Sequence, residues 1–226
     1  MSFKEEWDYF KNEVINENRF FAKVPFKKDL DDLICNSKVS VINCDFYRAR
    51  KGSFNKELDM RAPSFDKVKD DGRCNPKGIS YLYTATDANT AIHEVRPGIN
   101  DVVTVAKFTV EKACCVDFNS VMIDYKDGFR YTEKFIEFTK FLISEFQKPI
   151  SKYESLEYIP LQYITEYIKK SSERDGFIFK SSFQTKLNKG SNYVFFKDNP
   201  EKIIYKGNEK YLITNMNLNH EKLNCM

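Results

Sequence analysis

Four short polar segments carry the side chains that could bind or react. Tyr47-Arg48-Ala49-Arg50 places two guanidinium groups at i and i+2, on one face of an extended strand. An arginine fork matches phosphate oxygens in a bidentate way. Gly72-Arg73-Cys74-Asn75-Pro76-Lys77-Gly78 reads as a turn in which Arg73 and Asn75 can offer donors to an anion. Thr90 and Glu94 lie four apart on one flank of a short helix, so Glu94 can project into a cleft beside a sheet. Ser181-Ser182, with Asn192 at the next strand, can hold a substrate hydroxyl or orient a neighbouring carboxylate. Each segment also has a plain structural reading. Arginines solvate strand edges, loops turn at surfaces, glutamates decorate helices and serines finish strands.

Other chemistries are excluded more firmly. The chain has 8 glycines, and neither GxGxxG nor GxxxxGK[ST] occurs, so no familiar phosphate cradle is present. No GxSxG elbow exists. His93-Glu94 opens like HExxH, but the fifth position is Pro97, which excludes that zinc site. His93 and His220 are the two histidines, so acid–base work falls to carboxylates or tyrosines. The six cysteines form no CxxC, which fits buried free thiols better than a zinc or disulfide framework. No metal is expected. The net charge is +3 with both signs interleaved, so direct nucleic-acid binding is not expected. The charged N-terminus lacks the apolar core of a signal peptide, and no apolar run is long enough to span a membrane. A cytoplasmic location follows as the expectation.

The elements that must position these residues alternate in type. Phe3, Trp7, Phe10 and Val14 form one helical stripe suited to packing, and the chain to about residue 38 then reads as irregular. Strands are expected at VSVINCDFYRAR, ISYLYTA, DVVTVAKFTV, GFIFKSS, NYVFFK, KIIYK and YLITN. Helices are expected over residues 87–96, capped by Thr86 or Asp87 and stopped by Pro97, over YTEKFIEFTKFLISEF, and from Pro160. The mixed order predicts an α+β fold with a mixed or largely antiparallel sheet. Expected boundaries are a helical extension over 1–40, a catalytic domain over 41–200, and a C-terminal strand and tail over 201–226.

The order of the segments adds what no single one carries. YRAR, then GRxNPxGxSYLYTAxDxxTAxxEVRP, YxPLQYxxEYIK, DGFIFKSS and SNYVFF resemble the RES family, named for its Arg, Glu and Ser. The resemblance covers about residues 46–197. It implies a split mixed β-sheet core with flanking helices, like that of ADP-ribosyltransferases. It also implies an NAD+-consuming enzyme, often a toxin held in check by an antitoxin. Arg48, Tyr83 and Glu94 match the family positions. Either Ser181 or Ser182 matches the serine, and the sequence reading leans to Ser182. The implied catalytic set is Arg48, Tyr83, Glu94 and Ser182; the polar segments around it add Tyr47, Arg50, Arg73, Asn75, Thr90, Ser181 and Asn192 as the expected binding residues. The implied reaction is hydrolysis or phosphorolysis of the nicotinamide–ribose bond, with NAD+ as substrate and no cofactor. Transfer of ADP-ribose to a target, or NAD+ binding without turnover, are the alternatives. Implied partners are an antitoxin or immunity protein, and a homodimer is compatible with the resemblance.

Overall fold

The computed structural model describes residues 2–126, 131–148, 155–182 and 190–215. Among them are seven α-helices and six strands. The β-branched and aromatic run beginning at Lys38 forms β1 (Lys38–Lys51). Its partner β3 (Val102–Asp117) is the longest strand and the hub of the sheet. One edge of β3 pairs antiparallel with β1, from Lys51↔Val103 to Lys38↔Val116. The other edge takes β6 (Ile203–Leu212) antiparallel, then β4 (Gly176–Lys180) parallel at Cys115↔Gly176 to Asp117↔Ile178. β4 pairs with β5 (Ser191–Phe195), and β5 with β2 (Leu82–Ala85). β2 returns to β1 through the single pair Tyr47↔Ala85. Five strands therefore close on themselves, with β6 outside the ring.

Three apolar clusters of described residues follow from this closure, the smallest around Ala49, Ala85, Ala91, Val103 and Val105. Phe46, Leu82, Phe108, Ile178 and Phe195 pack together, joined by Met60 from α3 (Glu57–Met60). A larger, aromatic core lies under the helices α1 (Phe3–Asn12), α2 (Lys27–Asn36), α5 (Phe118–Lys126), α6 (Glu133–Gln147) and α7 (Ile159–Ser172). The N-terminal stripe packs inward. Trp7 meets Phe26 at 6.0 Å, and Phe10 meets both Phe26 and Tyr163 at 5.3 Å. Phe146 of α6 meets Phe177 of β4 at 4.7 Å, fastening helix to sheet.

Several sequence expectations need correction. The segment read as irregular holds α2, whose Leu30, Leu33 and Ile34 bury one face despite the charged run around them. β3 continues past Val110 to Asp117, and FNSVMIDYK then turns helical as α5. KIIYK and YLITN are one strand, bent at Gly207, where φ is +118°. Cys74 and Cys115 are buried as expected, but Cys35 and Cys44 are exposed. The C-terminal tail expected to fray lies, from residue 216, outside the described residues. No helix among the described residues is long and apolar enough to cross a membrane.

A buried ion network, invisible in the sequence, anchors the long connection between β1 and β2. Arg61 pairs with Glu57 and Asp198, each at 2.7 Å, and donates to the Ile203 carbonyl at 2.9 Å. The other oxygen of Asp198 accepts from the Ala62 amide at 2.8 Å. The Arg61 and Asp198 side chains are 9% and 11% exposed, so solvent screens the pair little. Asp198→Ala leaves Arg61 buried with one carboxylate fewer, and we expect a loss of about 3 kcal/mol in urea unfolding. Lys107→Ala, which breaks an exposed pair with Asp45, is expected to cost under about 1 kcal/mol in the same assay.

Candidate active site

The single-pair contact between β1 and β2 opens the sheet immediately after Tyr47. A cavity of about 610 Å³ lies there, lined by β1, β2, β5 and the helix α4 (Ala88–Glu94). Tyr47, Arg48, Arg50, Arg73, Tyr83, Glu94 and Asn192 all line it, so the structure brings seven of the sequence-selected residues to one place.

Glu94 reaches the cavity because α4 is capped and short. Asp87 accepts from the Thr90 amide at 2.8 Å, and the helix stops before Pro97. The Glu94 Oε1 atom accepts from Ser181 Oγ at 2.6 Å and from Asn192 Nδ2 at 2.7 Å. Oε2 accepts no hydrogen bond from a described residue. One oxygen is thus fixed by residues from two other strand ends, and the second is left for the cavity. The serine pair is distinguished by this geometry. Ser181 is buried against Glu94, whereas Ser182 makes no side-chain hydrogen bond to a described residue. The sequence leaning toward Ser182 therefore points at the neighbour of the serine that holds the carboxylate.

Arg48 is the second anchor. Its Nη1 donates to the Tyr83 carbonyl at 3.1 Å across the gap between β1 and β2. Its Nε is buried without a hydrogen-bond partner among the described residues. Burial, with Arg50 nearby, pushes the guanidinium down to about 10, so it stays charged at neutral pH. Arg50 stacks over the Phe54 ring at 4.3 Å and donates to the Asp59 carbonyl. Arg73 donates to the Phe146 and Lys148 carbonyls at 2.6 and 2.9 Å, capping the end of α6 while bordering the cavity.

Two selected residues serve the scaffold instead. Asn75 is buried inside its own turn, donating to Ile79 O at 2.8 Å and accepting from the Tyr83 hydroxyl at 2.6 Å. A side chain at Gly72 would stand 2.4 Å from Asn75 Oδ1, so glycine there permits the Asn75–Tyr83 bond. Gln162 of α7 holds the same turn through Gly72 O at 2.9 Å. The Tyr83 hydroxyl is therefore committed to this turn, and burial raises it well above the ordinary phenol range. Thr90 does not line the cavity. It bonds Asp87 and packs beneath Gly190, where a β-carbon would sit 1.9 Å from Thr90 Oγ1.

Sequence reasoning gave no role to Arg96, which borders the cavity at φ +47° directly after α4. Its signal was available: an arginine two residues past Glu94, where the helix must end before Pro97. Cations at Arg48, Arg50, Lys51, Arg73 and Arg96 surround one carboxylate, Glu94, among the described lining residues. The arrangement suits a dianionic or diphosphate ligand with an electron-poor centre near Glu94. Among the described residues, no group of three or more His, Cys, Asp or Glu is gathered as metal ligands.

A mixed sheet whose open seam holds Arg48 and Glu94, with Ser181 behind the carboxylate, defines an α+β fold. The family model of the RES domain matches residues 45–211, and the chain belongs to that family. The fold is similar to a chain in the crystal structure of the M. tuberculosis MbcT–MbcA toxin–antitoxin complex. The TM-score is 0.51 at 12% identity, covering 81% of this chain and 92% of that one. No protein of curated function matches the sequence significantly.

An uncompensated buried guanidinium destabilises the protein that contains it. Burial lowers the pKa of folded-state Arg48 relative to the unfolded arginine, so that cost is fully present at neutral pH. Arg48→Met is therefore expected to raise stability at pH 7 by on the order of 1 kcal/mol, measured by urea unfolding. A clear loss of stability would show that the Arg48–Tyr83 bond across the seam outweighs that cost.

Proposed function

We propose that the chain is an NAD+-consuming enzyme that cleaves the bond between nicotinamide and ribose. The observation that carries this reading is Glu94, fixed through one oxygen by Ser181 and Asn192 inside a cation-lined cavity. Membership of the RES family supports it. The closed but split sheet is compatible with an ADP-ribosyltransferase-like ancestry of the site.

Each group has work to do in such a reaction. Departure of nicotinamide takes the bonding electron pair to the ring nitrogen and leaves positive charge on the ribose, in an oxocarbenium-like transition state. The free oxygen of Glu94 stabilises that charge or holds the adjacent hydroxyl. Ser181 and Asn192 keep the carboxylate in one orientation, so little reorganisation is needed as charge develops. Arg48 clamps the pyrophosphate, with Arg50, Arg73 and Arg96 adding to the field. Tyr83 contributes the face of its ring to the nicotinamide, since its hydroxyl is already engaged. The acceptor is water or phosphate. The ring of cations favours an anionic acceptor over a neutral side chain of another protein.

We read the biological role as that of a toxin partnered by an antitoxin. The structural similarity to a chain of a toxin–antitoxin complex supports that role.

Incubation of the purified protein with NAD+, with and without phosphate, followed by mass analysis of the products, tests the reaction. Free nicotinamide with ADP-ribose or its phosphate ester is the expected result; intact NAD+ at high enzyme concentration would sink the reading. Glu94→Gln is expected to lower kcat at least about 100-fold with the fold intact by circular dichroism. Ser181→Ala should lower kcat by about tenfold or more through the loosened carboxylate, whereas Ser182→Ala should stay within about threefold. The reverse ranking of the two serines would reject the assignment of Ser181.

A further inference from the structure

Buried polar atoms almost always find partners, because leaving one without a hydrogen bond costs free energy. Among the described side chains, two such atoms lack one: Arg48 Nε and Arg174 Nε. Arg48 lines the candidate active site. Arg174 lines a second cavity, of about 500 Å³.

The two cavities stand at opposite ends of the sheet. The first surrounds Arg48 to Lys51 of β1, which pair with Ala106 to Val103 of β3. The second is bordered by Val110, Lys112 and Ala113 of β3, the residues just before β4, and the turn between β5 and β6. Val110, Lys112 and Ala113 pair with Cys44, Ile42 and Val41, at the other end of β1. The two cavities share no lining residue, and the second is separate from the one that Glu94 borders.

Its charge is one-sided. Lys112, Lys169, Arg174, Lys197 and Lys202 border it, against the carboxylates of Glu173 and Asp175. Lys202 is engaged with Asp175 at 3.6 Å, and Lys169 with Glu166 at 3.6 Å. Arg174, Lys112 and Lys197 have no ion-pair partner among the described residues. The hydrogen bond that Arg174 does make runs to Cys114 Sγ at 3.6 Å, a weak acceptor for a guanidinium with five N–H groups. Arg61, at the same end of the fold, shows what a structural arginine here looks like: two carboxylates and a carbonyl satisfy it. Arg174 has none of these, and the fold supplies no reason to keep it charged and half-buried. Apolar side chains, Phe195 and Ile203 among them, complete the lining. A cavity of this size exceeds what a bare inorganic ion would fill.

We infer that this cavity is a second ligand site, separate from Glu94, which takes a small organic phosphate on Arg174, Lys112 and Lys197. The ligand's phosphate completes the arginine's hydrogen bonding, and its apolar body lies along β3 and β5. Occupancy would tie together the end of α7, the start of β4 and the β5–β6 turn. Ser181 directly follows β4 and Asn192 lies in β5, the strand pair that leaves this region, so the site is placed to influence how Glu94 is held.

Adenosine monophosphate is a suitable probe, since it has no nicotinamide–ribose bond to lose. Calorimetric titration of the full-length protein is expected to show a site that survives Arg48→Met. Arg174→Met should weaken that site at least about tenfold. The exposed double variant Lys112→Ala/Lys197→Ala should weaken it too, and carries the test if Arg174→Met fails to fold. Affinity should fall as salt is raised from 50 to 300 mM, as screening of a cationic rim requires. Absence of millimolar binding, or binding abolished by Arg48→Met and untouched by both the arginine and the lysine variants, would overturn the inference.

Discussion

The structure depends on an incomplete strand pairing. β1 and β2 meet at Tyr47↔Ala85 and then part, while β1 keeps its full ladder with β3. A sheet that must close a ring yet has one seam held by a single pair will open where that pair ends. Arg48 stands at that point and spans the gap to the Tyr83 carbonyl. The cavity, the buried cation and the access to Glu94 are consequences of the same geometric shortfall. A regular ladder there would satisfy more backbone groups and leave no room for a ligand.

Around this opening, the fold invests its best packing in rigidity rather than in the site itself. The Asn75–Tyr83 bond, the Gln162 contacts and the Arg73 cap on α6 hold the turn that borders the cavity from three directions. Arg61 does the same for the connection leaving β1. Glu94 lines the cavity from a helix terminus, and Ser181 and Asn192 hold it from the strands behind. At Arg48 a buried charge is retained at the expense of stability.

Much of this was legible from the chain. β1, α4, α6 and α7 announce themselves through alternation, capping and the stripe Phe135, Phe138, Leu142 and Phe146. Arg48 and Glu94 stand out once their order is set against the Gly72–Pro97 block. What escaped has identifiable causes. Helix α2 hides its buried face in a run of lysines and aspartates, so local composition outweighs periodicity. Asn75 and Thr90 are polar residues near functional ones, yet turn closure and helix capping consume their hydrogen bonds. The choice between Ser181 and Ser182 depends on which face of the departing strand meets α4, a tertiary fact. The Arg61–Asp198 pair, 137 residues apart, has no local signature at all.

The hydrogen bonds that hold Glu94 span 87 and 98 residues of chain. A ribosome-bound chain that has already exposed Arg48 and Glu94 still lacks both donors that orient the carboxylate. The ring of strands cannot close before β5 has emerged, because β2 has its longer pairing with β5 and β4 has no antiparallel partner without it. The order of synthesis thus separates the parts: the arginines and Glu94 appear early, and Ser181 and Asn192, which orient the carboxylate, appear late. A truncated translation product ending before Ser181 would carry the arginines and the glutamate without an oriented site.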